Sequence, residues 1–352
     1  MTSDSRIVPR QLKKIRCTNC SLVRDGVEFR AEALTKHYGT SYQLNTTESG
    51  EEHIFFTPSG PVPRSRFIHD WIVQINPNIS GKVLEVGCGQ GSVLERLAAT
   101  FPQSSFSGID LSAEAVHRAD QKDLNVTIGG SQDITGRYDT IIAFGVLEHV
   151  PSPTGFLNDL REHLNNEGEV IVGQPMQDVS SYDLFFVDHL HHFTTDHVRA
   201  FGQKVGLEQI AVLAGSALVP NFSLHRFRKS QIHQPEMDPE PARSLPSVAE
   251  YLAAFRRVDD FLGRHQRIAV FGTGEVFSLL YAYTDLPDAE IVCGLDDNPD
   301  RRNSNHWPFP VITPEEAPRL SVSDVLLSVN PRYNDSVTKR LRALGLSPTA
   351  IL

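Results

Sequence analysis

The sequence is poor in cysteine. Four thiols, Cys17, Cys20, Cys88 and Cys293, are spread over 352 residues. That is too few for a disulfide framework and suits a reducing compartment. A long apolar run is also missing, since none reaches the roughly 18 residues that cross a bilayer. The opening stretch, MTSDSRIVPRQLKKIRC, has no apolar core of a secretory signal. A cytoplasmic protein is the expectation. There is no basic excess either. Lys and Arg number 33 against 43 Asp and Glu, for a net charge of −10. This argues against a nucleic-acid partner, which usually leaves a basic footprint. The small basic group Arg10, Lys13, Lys14 and Arg16 reads as a solvated terminus. No internal repeat and no membrane-seeking patch is seen.

Hydrophobic residues at 40% and charged residues at 22% are ordinary for a globular chain. The length exceeds one ordinary core and predicts two domains plus a small appendage. Residues 1–60 are irregular and polar. From 61 to 230 short β-rich runs (VLEVG, FSGID, YDTIIAF, GEVIVGQP) alternate with helical patterns (VLERLAATF, AEAVHRADQ, TGFLNDLREHL). Such alternation predicts a doubly wound α/β fold, a parallel sheet covered on both faces. Residues 231–263 are a linker: a proline-rich break at 233–247, then a helix with Tyr251, Leu252, Phe255, Val258 and Leu262 on its apolar face. Residues 264–352 repeat the α/β pattern at half size and end in a short strand, TAIL. They read as a second, smaller Rossmann-like unit.

The strongest motif is the run from Val83 to Gly91, VLEVGCGQG. An apolar strand carries Glu85 near its end, passes Gly87, Cys88, Gly89 and Gly91, and enters a helix. Glycines serve where the chain turns sharply and where a ligand must touch backbone, and the helix start adds free N–H groups. The spacing is G-x-G-x-G, not the dinucleotide fingerprint G-x-G-x-x-G. Glu85 would repel a pyrophosphate and welcome the ammonium of a methionine-type ligand. Asp110, followed by Leu111, ends the next strand and is placed to accept from ribose hydroxyls. Gln132 and Asp133 follow the third strand, where a polar pair could read adenine. The fourth strand runs through Phe144 to Leu147-Glu148-His149.

This ordered set resembles the class I S-adenosylmethionine (SAM)-dependent methyltransferases. The resemblance implies a seven-stranded sheet whose last strands are LEQIAVLAG and NFSLHRFR. It also implies a cofactor site of Glu85, Gly87, Cys88, Gly89, Gly91, Asp110, Leu111, Gln132, Asp133 and Phe144. A nucleotide-binding Rossmann domain of another type is the alternative, and Glu85 and the glycine spacing speak against it.

The acceptor should lie beyond the carboxyl ends of the strands. After the fifth strand comes a segment with Tyr182, Phe185, Phe186, Asp188, His189, His191, His192 and Phe193. Since SAM brings an activated methyl group, the protein has to align the acceptor and remove a proton. His189 is the first candidate base, with Asp188 to orient it or take the proton itself, and His192 a further catalytic candidate. Tyr182 and His191 are candidate substrate contacts. His149 is read first as support for its loop and second as a substrate contact. The bland alternative is a lid whose histidines pack on Phe185, Phe186 and Phe193. The run D-H-x-H-H also has first-row metal-ligand types, but that spacing alone does not define a site.

Cys17-Thr-Asn-Cys20 followed by Tyr38 and Tyr42 resembles the second half of a small zinc module. A tetrahedral site needs four ligands, and no Cys or His precedes Cys17. His37 or His53 could stand in, yet a metal-free remnant is the expected state. The tail carries Arg267-Ile-Ala-Val-Phe-Gly272-Thr-Gly274 and Asp296. It resembles the C-terminal domain of the sugar C-methyltransferases, which act on nucleotide-linked deoxysugars. That family has the order zinc-type module, SAM domain, linker helix and Rossmann-like tail. Its Tyr-His-Glu-His segment falls here on Phe186, Val187, Asp188 and His189, so the acid and the last His survive and the first two residues do not. Its glycine loop also departs, ending in Glu275-Val-Phe. Gly272, Gly274 and Asp296 are read as either a site for the nucleotide or sugar part of the acceptor or a structural turn. The resemblance implies methyl transfer from SAM to carbon or oxygen of a sugar or nucleotide sugar; a monomer and a homodimer both stay open. An O-methyltransferase of a non-sugar metabolite and a non-catalytic SAM- or nucleotide-binding module are the alternatives.

Overall fold

The structure is a computed structural model describing residues 1–8, 11–27, 36–39, 52, 54–57, 60–177, 182–215, 221–231, 248–303 and 306–351. His53, Tyr42, Arg10 and the proline-rich stretch 233–247 lie outside the described residues. Two short hairpins lead in. They are β1 (Lys14–Arg16) with β2 (Val23–Asp25), and β3 (Ile54–Thr57) with β4 (Gly60–Pro63).

The expected seven-stranded sheet follows, in the order β11-β12-β9-β8-β5-β6-β7. Its strands are β5 (Lys82–Val86), β6 (Ser105–Asp110), β7 (Val126–Ile128), β8 (Tyr138–Phe144), β9 (Leu164–Pro175), β11 (Leu207–Ala214) and β12 (Phe222–Lys229). All run parallel except β12, which is antiparallel to both its neighbours. Central β5 is buried along Val83, Leu84, Glu85 and Val86, as a strand covered on both faces must be. Glu85 is the polar exception in that run.

Helices α1 (Arg64–Ile75), α2 (Ser92–Thr100), α3 (Ala113–Asp120), α4 (Pro153–Glu162) and α5 (Thr195–Lys204) cover the sheet. Their starts are chemically specified. Ser112 accepts from Ala115 N–H ahead of α3, and Ser152 accepts from Gly155 N–H ahead of α4, with Pro153 in the first turn. Thr194 and His197 cap α5 reciprocally. Strand β10 (His191–His192) leaves the large sheet and pairs with β2.

A second sheet, β15-β14-β13-β16-β17, is all parallel. It is built from β13 (Arg267–Phe271), β14 (Glu290–Leu295), β15 (Val311–Ile312), β16 (Asp324–Leu327) and β17 (Ser347–Ala350). Helix α6 (Val248–Leu262) packs on it by Ala254, Phe255, Val258 and Phe261, in one core with Phe185 and Phe186. Of the apolar face expected from the sequence, Tyr251, Phe255, Val258 and Leu262 join this core, whereas Leu252 is 44% exposed. Helices α7 (Glu275–Tyr283), α8 (Pro299–Asn303) and α9 (Asn334–Ala343) complete the described elements. Among the described residues no helix is long and apolar enough to cross a membrane.

One close approach sets how α5 lies on the sheet. A Cβ at Gly202 would sit 2.6 Å from Cε1 of Phe227 on β12, a ring with no exposure. Gly202→Val is expected to cost about 1–3 kcal/mol by overpacking. Thermal unfolding would show it, and an unchanged melting temperature would mean that the ring can move.

Candidate active site

The glycine loop forms as the motif requires. Gly87, Gly89 and Gly91 all have positive φ (72°, 54° and 76°), and Gly91 directly precedes α2. Asp110 pins this loop. Its Oδ2 accepts from Gly89 N–H at 2.7 Å and its Oδ1 from Ser112 N–H at 2.8 Å. Each oxygen keeps a second lone pair for a ligand hydroxyl. Burial raises the Asp110 carboxyl, while its two backbone bonds oppose the rise.

Glu85 is 4% exposed, and its Oε2 has no hydrogen-bond partner. Burial pushes it up to about 8, the nearby Asp110 adds to the rise, and Arg64 opposes it. A buried, half-satisfied carboxyl calls for a cationic donor. Glu85 lines a narrow cleft with Arg64, Gly87, Gln90 and Phe144. Phe144 stacks on Phe222 at 5.6 Å, and the Arg64 guanidinium lies 5.5 Å from its ring centre. These residues could hold the amino-acid end of SAM.

Three other cofactor candidates have local duties. The Cys88 thiol joins a core cluster with Leu94, Val116, Ala119 and Val126, and burial keeps it protonated. Leu111 is half-buried, and its carbonyl lies against Gly39. Asp133 accepts from Gly130 N–H and from Gln132 Nε2 in an exposed turn past β7.

The acceptor segment folds into a buried cluster. Glu148, His149, Asp183, Asp188, His189 and His192 are each at most 7% exposed. The partnership expected within it is corrected. Asp188 does not orient His189: its carboxylate turns away and accepts from the backbone N–H (2.8 Å) and hydroxyl (2.7 Å) of Ser3. Asp183 takes that role, bonding Nδ1 of His189 through Oδ1 and Nδ1 of His192 through Oδ2 at 2.5 Å. A turn over Tyr182–Phe185 puts Asp183 there.

Burial resists charge on His189, yet Asp183, Asp188 and Glu148 together raise it to about 9. Burial dominates at His149 and His192, both near 4. Burial lifts Glu148 to about 7 against the pull of His189. The cluster adjoins the cofactor cleft at Gly145, where a Cβ would lie 3.8 Å from both an Arg64 guanidinium nitrogen and Glu148 Oε1.

Nδ1 of His149 lies 2.9 Å from the Asp188 carbonyl oxygen and 2.6 Å from the Tyr38 hydroxyl. His191 is half-buried against Phe193, with Nε2 3.4 Å from the Pro151 carbonyl. Lys14 is not solvated as its basic group suggested. Its ammonium donates to the carbonyls of Phe186 and His189, both at 2.8 Å. Tyr182 donates to Glu275 at 3.2 Å, and Tyr283 donates to the Phe185 carbonyl at 2.6 Å, so the second sheet's unit also grips this segment.

In the tail, Gly272 has φ +86°. Asp296 accepts from Thr273 N–H, Thr273 Oγ1 and Asn298 N–H. Arg301 lies 3.7 Å from a Cβ position on Gly274, and Trp307 donates to the Thr273 carbonyl. Cys17 is exposed and Cys20 half-buried. The Cys20 carbonyl accepts from His197 Nε2 at 2.7 Å. His37 lies near Arg6 and Asp188.

The strand order, with its single antiparallel strand, and the Glu85–glycine loop–Asp110 site define a class I SAM-dependent methyltransferase fold. Residues 63–212 match the profile of the family described as "Methyltransferase domain", and this segment is such a domain, with SAM as its cofactor. The chain is 35% identical over 121 residues to a mitochondrial ubiquinone biosynthesis O-methyltransferase of Candida albicans, covering 31% of this chain and 37% of that protein. It is 31% identical over 97 residues to a trans-aconitate 2-methyltransferase of Deinococcus radiodurans, covering 27% and 38%. It thus spans well under half the length of these relatives. A magnesium protoporphyrin IX methyltransferase of Synechocystis, solved with bound S-adenosylhomocysteine, aligns at 19% identity and TM-score 0.39, over 47% of this chain and 82% of that one.

Two outcomes are expected for the cofactor. Asp110→Ala should weaken S-adenosylhomocysteine at least tenfold, about 1.4 kcal/mol, by calorimetry; unchanged affinity would put the cofactor elsewhere. The second concerns protons. Empty Glu85 holds its proton at pH 7, and an ammonium ligand favours the carboxylate. Binding should therefore release a proton near neutrality, and affinity should rise from pH 6 to 8. Titrations in two buffers of different ionisation enthalpy would reveal it, and Glu85→Gln should abolish it.

Proposed function

We propose that the chain transfers a methyl group from SAM to an oxygen or carbon of a small hydroxylated acceptor, a sugar or nucleotide sugar. The observation that carries this reading is Asp183 holding His189 by Nδ1 beside the cofactor cleft. The bound cofactor supplies a methyl group on a cationic sulfur, activated for displacement. The acceptor's O–H or C–H bond breaks, its oxygen or carbon bonds the methyl carbon, and the carbon–sulfur bond gives way. The proton goes to Nε2 of His189, because Asp183 fixes the other ring nitrogen. His189 must first shed its own proton, and the positive charge arriving with the methyl donor favours that loss. His149 and Phe186 pack edge-on against the His189 ring, with Tyr182 behind Phe186, and this burial keeps water from the transfer.

The sugar acceptor is supported by the second α/β unit gripping the acceptor segment through Tyr182–Glu275 and Tyr283–Phe185. One observation favours the second reading, a non-nucleotide acceptor. Glu275 places a carboxylate at the start of α7, where a pyrophosphate would otherwise find free N–H groups. Calorimetric titration of dTDP into protein saturated with S-adenosylhomocysteine separates the two. Saturable binding supports the nucleotide sugar, and no binding with the cofactor product in place selects the second reading.

His189→Ala is expected to lower turnover about 10²-fold or more and leave S-adenosylhomocysteine affinity intact. Asp183→Asn should lower kcat as well, with affinity for the cofactor product retained. Normal turnover in His189→Ala would remove it as the proton acceptor.

A further inference from the structure

We propose that Glu148, His149 and His189 form a binding site for a first-row divalent cation beside the cofactor cleft. The site itself rests on the geometry of the cluster, and its use by an acceptor rests on the methyl-transfer reading above. One ligand atom from each residue lies within 4.8 Å of the other two. Metal–ligand bonds of about 2.0–2.2 Å would draw them roughly 1 Å closer, a movement within side-chain reach. The residues come from two places: the turn Leu147–His149 after β8 presents two ligands in succession, and the acceptor segment brings the third. The D-H-x-H-H run therefore contributes one ligand only, which is why its spacing alone did not define a site.

Three features point to a cation. Glu148 is 2% exposed, and its Oε2 has no hydrogen-bond partner. Its Oε1 lies 3.9 Å from Nε2 of His149, too far for a hydrogen bond and about right for an ion in between. The outer shell is already built. A ligating imidazole usually gives its other nitrogen to a carboxylate or a backbone carbonyl. Nδ1 of His189 is on Asp183, and Nδ1 of His149 is within reach of the Asp188 carbonyl. Nδ1 of each ring is thereby engaged by an outer group. The neighbouring group Asp183, His189 and His192 also has ligand types, but it lacks this shell. Its carboxylate, Asp183, is already taken by His189, His192 and Gln177 Nε2.

Two imidazoles and one carboxylate suit zinc, iron, cobalt or manganese rather than magnesium or calcium. Three protein ligands leave open positions, which fit one or two oxygens of a hydroxylated acceptor. An acceptor hydroxyl bound there would ionise more readily, with His189 serving as ligand in the loaded protein and as proton acceptor in the metal-free one.

The test is titration of the EDTA-dialysed full chain with CoCl₂, followed by visible absorption. One cobalt per chain is expected, with saturable d–d bands. A thiolate-to-cobalt charge-transfer band would instead mark Cys17 and Cys20. Glu148→Gln and His149→Ala should each weaken binding at least tenfold, and Asp183→Asn by about 10–100-fold through the outer shell. S-adenosylhomocysteine affinity in the same samples should stay unchanged, which reports the fold. The proposal is overturned by a wild-type chain without saturable d–d absorption, by charge-transfer absorption alone, or by folded Glu148 and His149 variants that bind as wild type. Cobalt binding in a chain that does not bind S-adenosylhomocysteine would instead sink the methyl-transfer reading and leave the metal site standing.

Discussion

A carboxylate taken out of water must be paired, and Asp183 is paired twice. Its oxygens face Nδ1 of His189 and Nδ1 of His192, and the pairing outweighs the cost of burial enough to hold its carboxyl well below the usual range. Most of what is distinctive in the acceptor region depends on this clasp. It fixes which nitrogen of His189 is available, and it fixes the path of the chain from Tyr182 to His192. Asp188, equally buried, bonds Ser3 instead, so the segment has one carboxylate on its imidazoles and one on the N-terminal residues.

Around that clasp the chain closes from three directions. Lys14 spans two carbonyls of the segment, Tyr38 reaches His149, and Tyr283 holds the Phe185 carbonyl. A segment with little regular structure has many backbone groups to satisfy, and here distant side chains do so. The cofactor half is different. Its loop is satisfied locally, by Asp110 and by the start of α2, and Glu85 Oε2 is left without a partner.

That difference explains what could be read from the sequence. The doubly wound α/β fold was legible because alternating strands and helices carry periodic burial, the count of seven strands came from the resemblance, and the glycine loop was legible because turn and ligand chemistry lie within nine consecutive residues. The second sheet was legible for the same reason. On α6 a single position was misread: Leu252 shares the helical spacing of Phe255, and only packing against Phe185 and the second sheet shows that it stays outside the core. Asp188 was preferred to Asp183 because it adjoins His189 in sequence. In a tight turn, however, adjacent side chains point apart, and a residue six positions back returns to the same place. Lys14 and Tyr38 had no local signal at all, since their partners lie more than 100 residues away. Glu148 was visible beside His149, but its unpartnered oxygen was not.

The three grips on this segment also bear on how such a buried cluster can be inherited. Its shape is written in at least three stretches of the chain: the N-terminal strap, the segment itself and the second α/β unit. Each backbone carbonyl held by a remote side chain is a matching condition between two of them. Exchange of the segment alone between related proteins would transfer the imidazoles without the groups that hold them in place. The placement of these imidazoles is therefore kept when the stretches are exchanged together, or when substitutions leave the grips untouched.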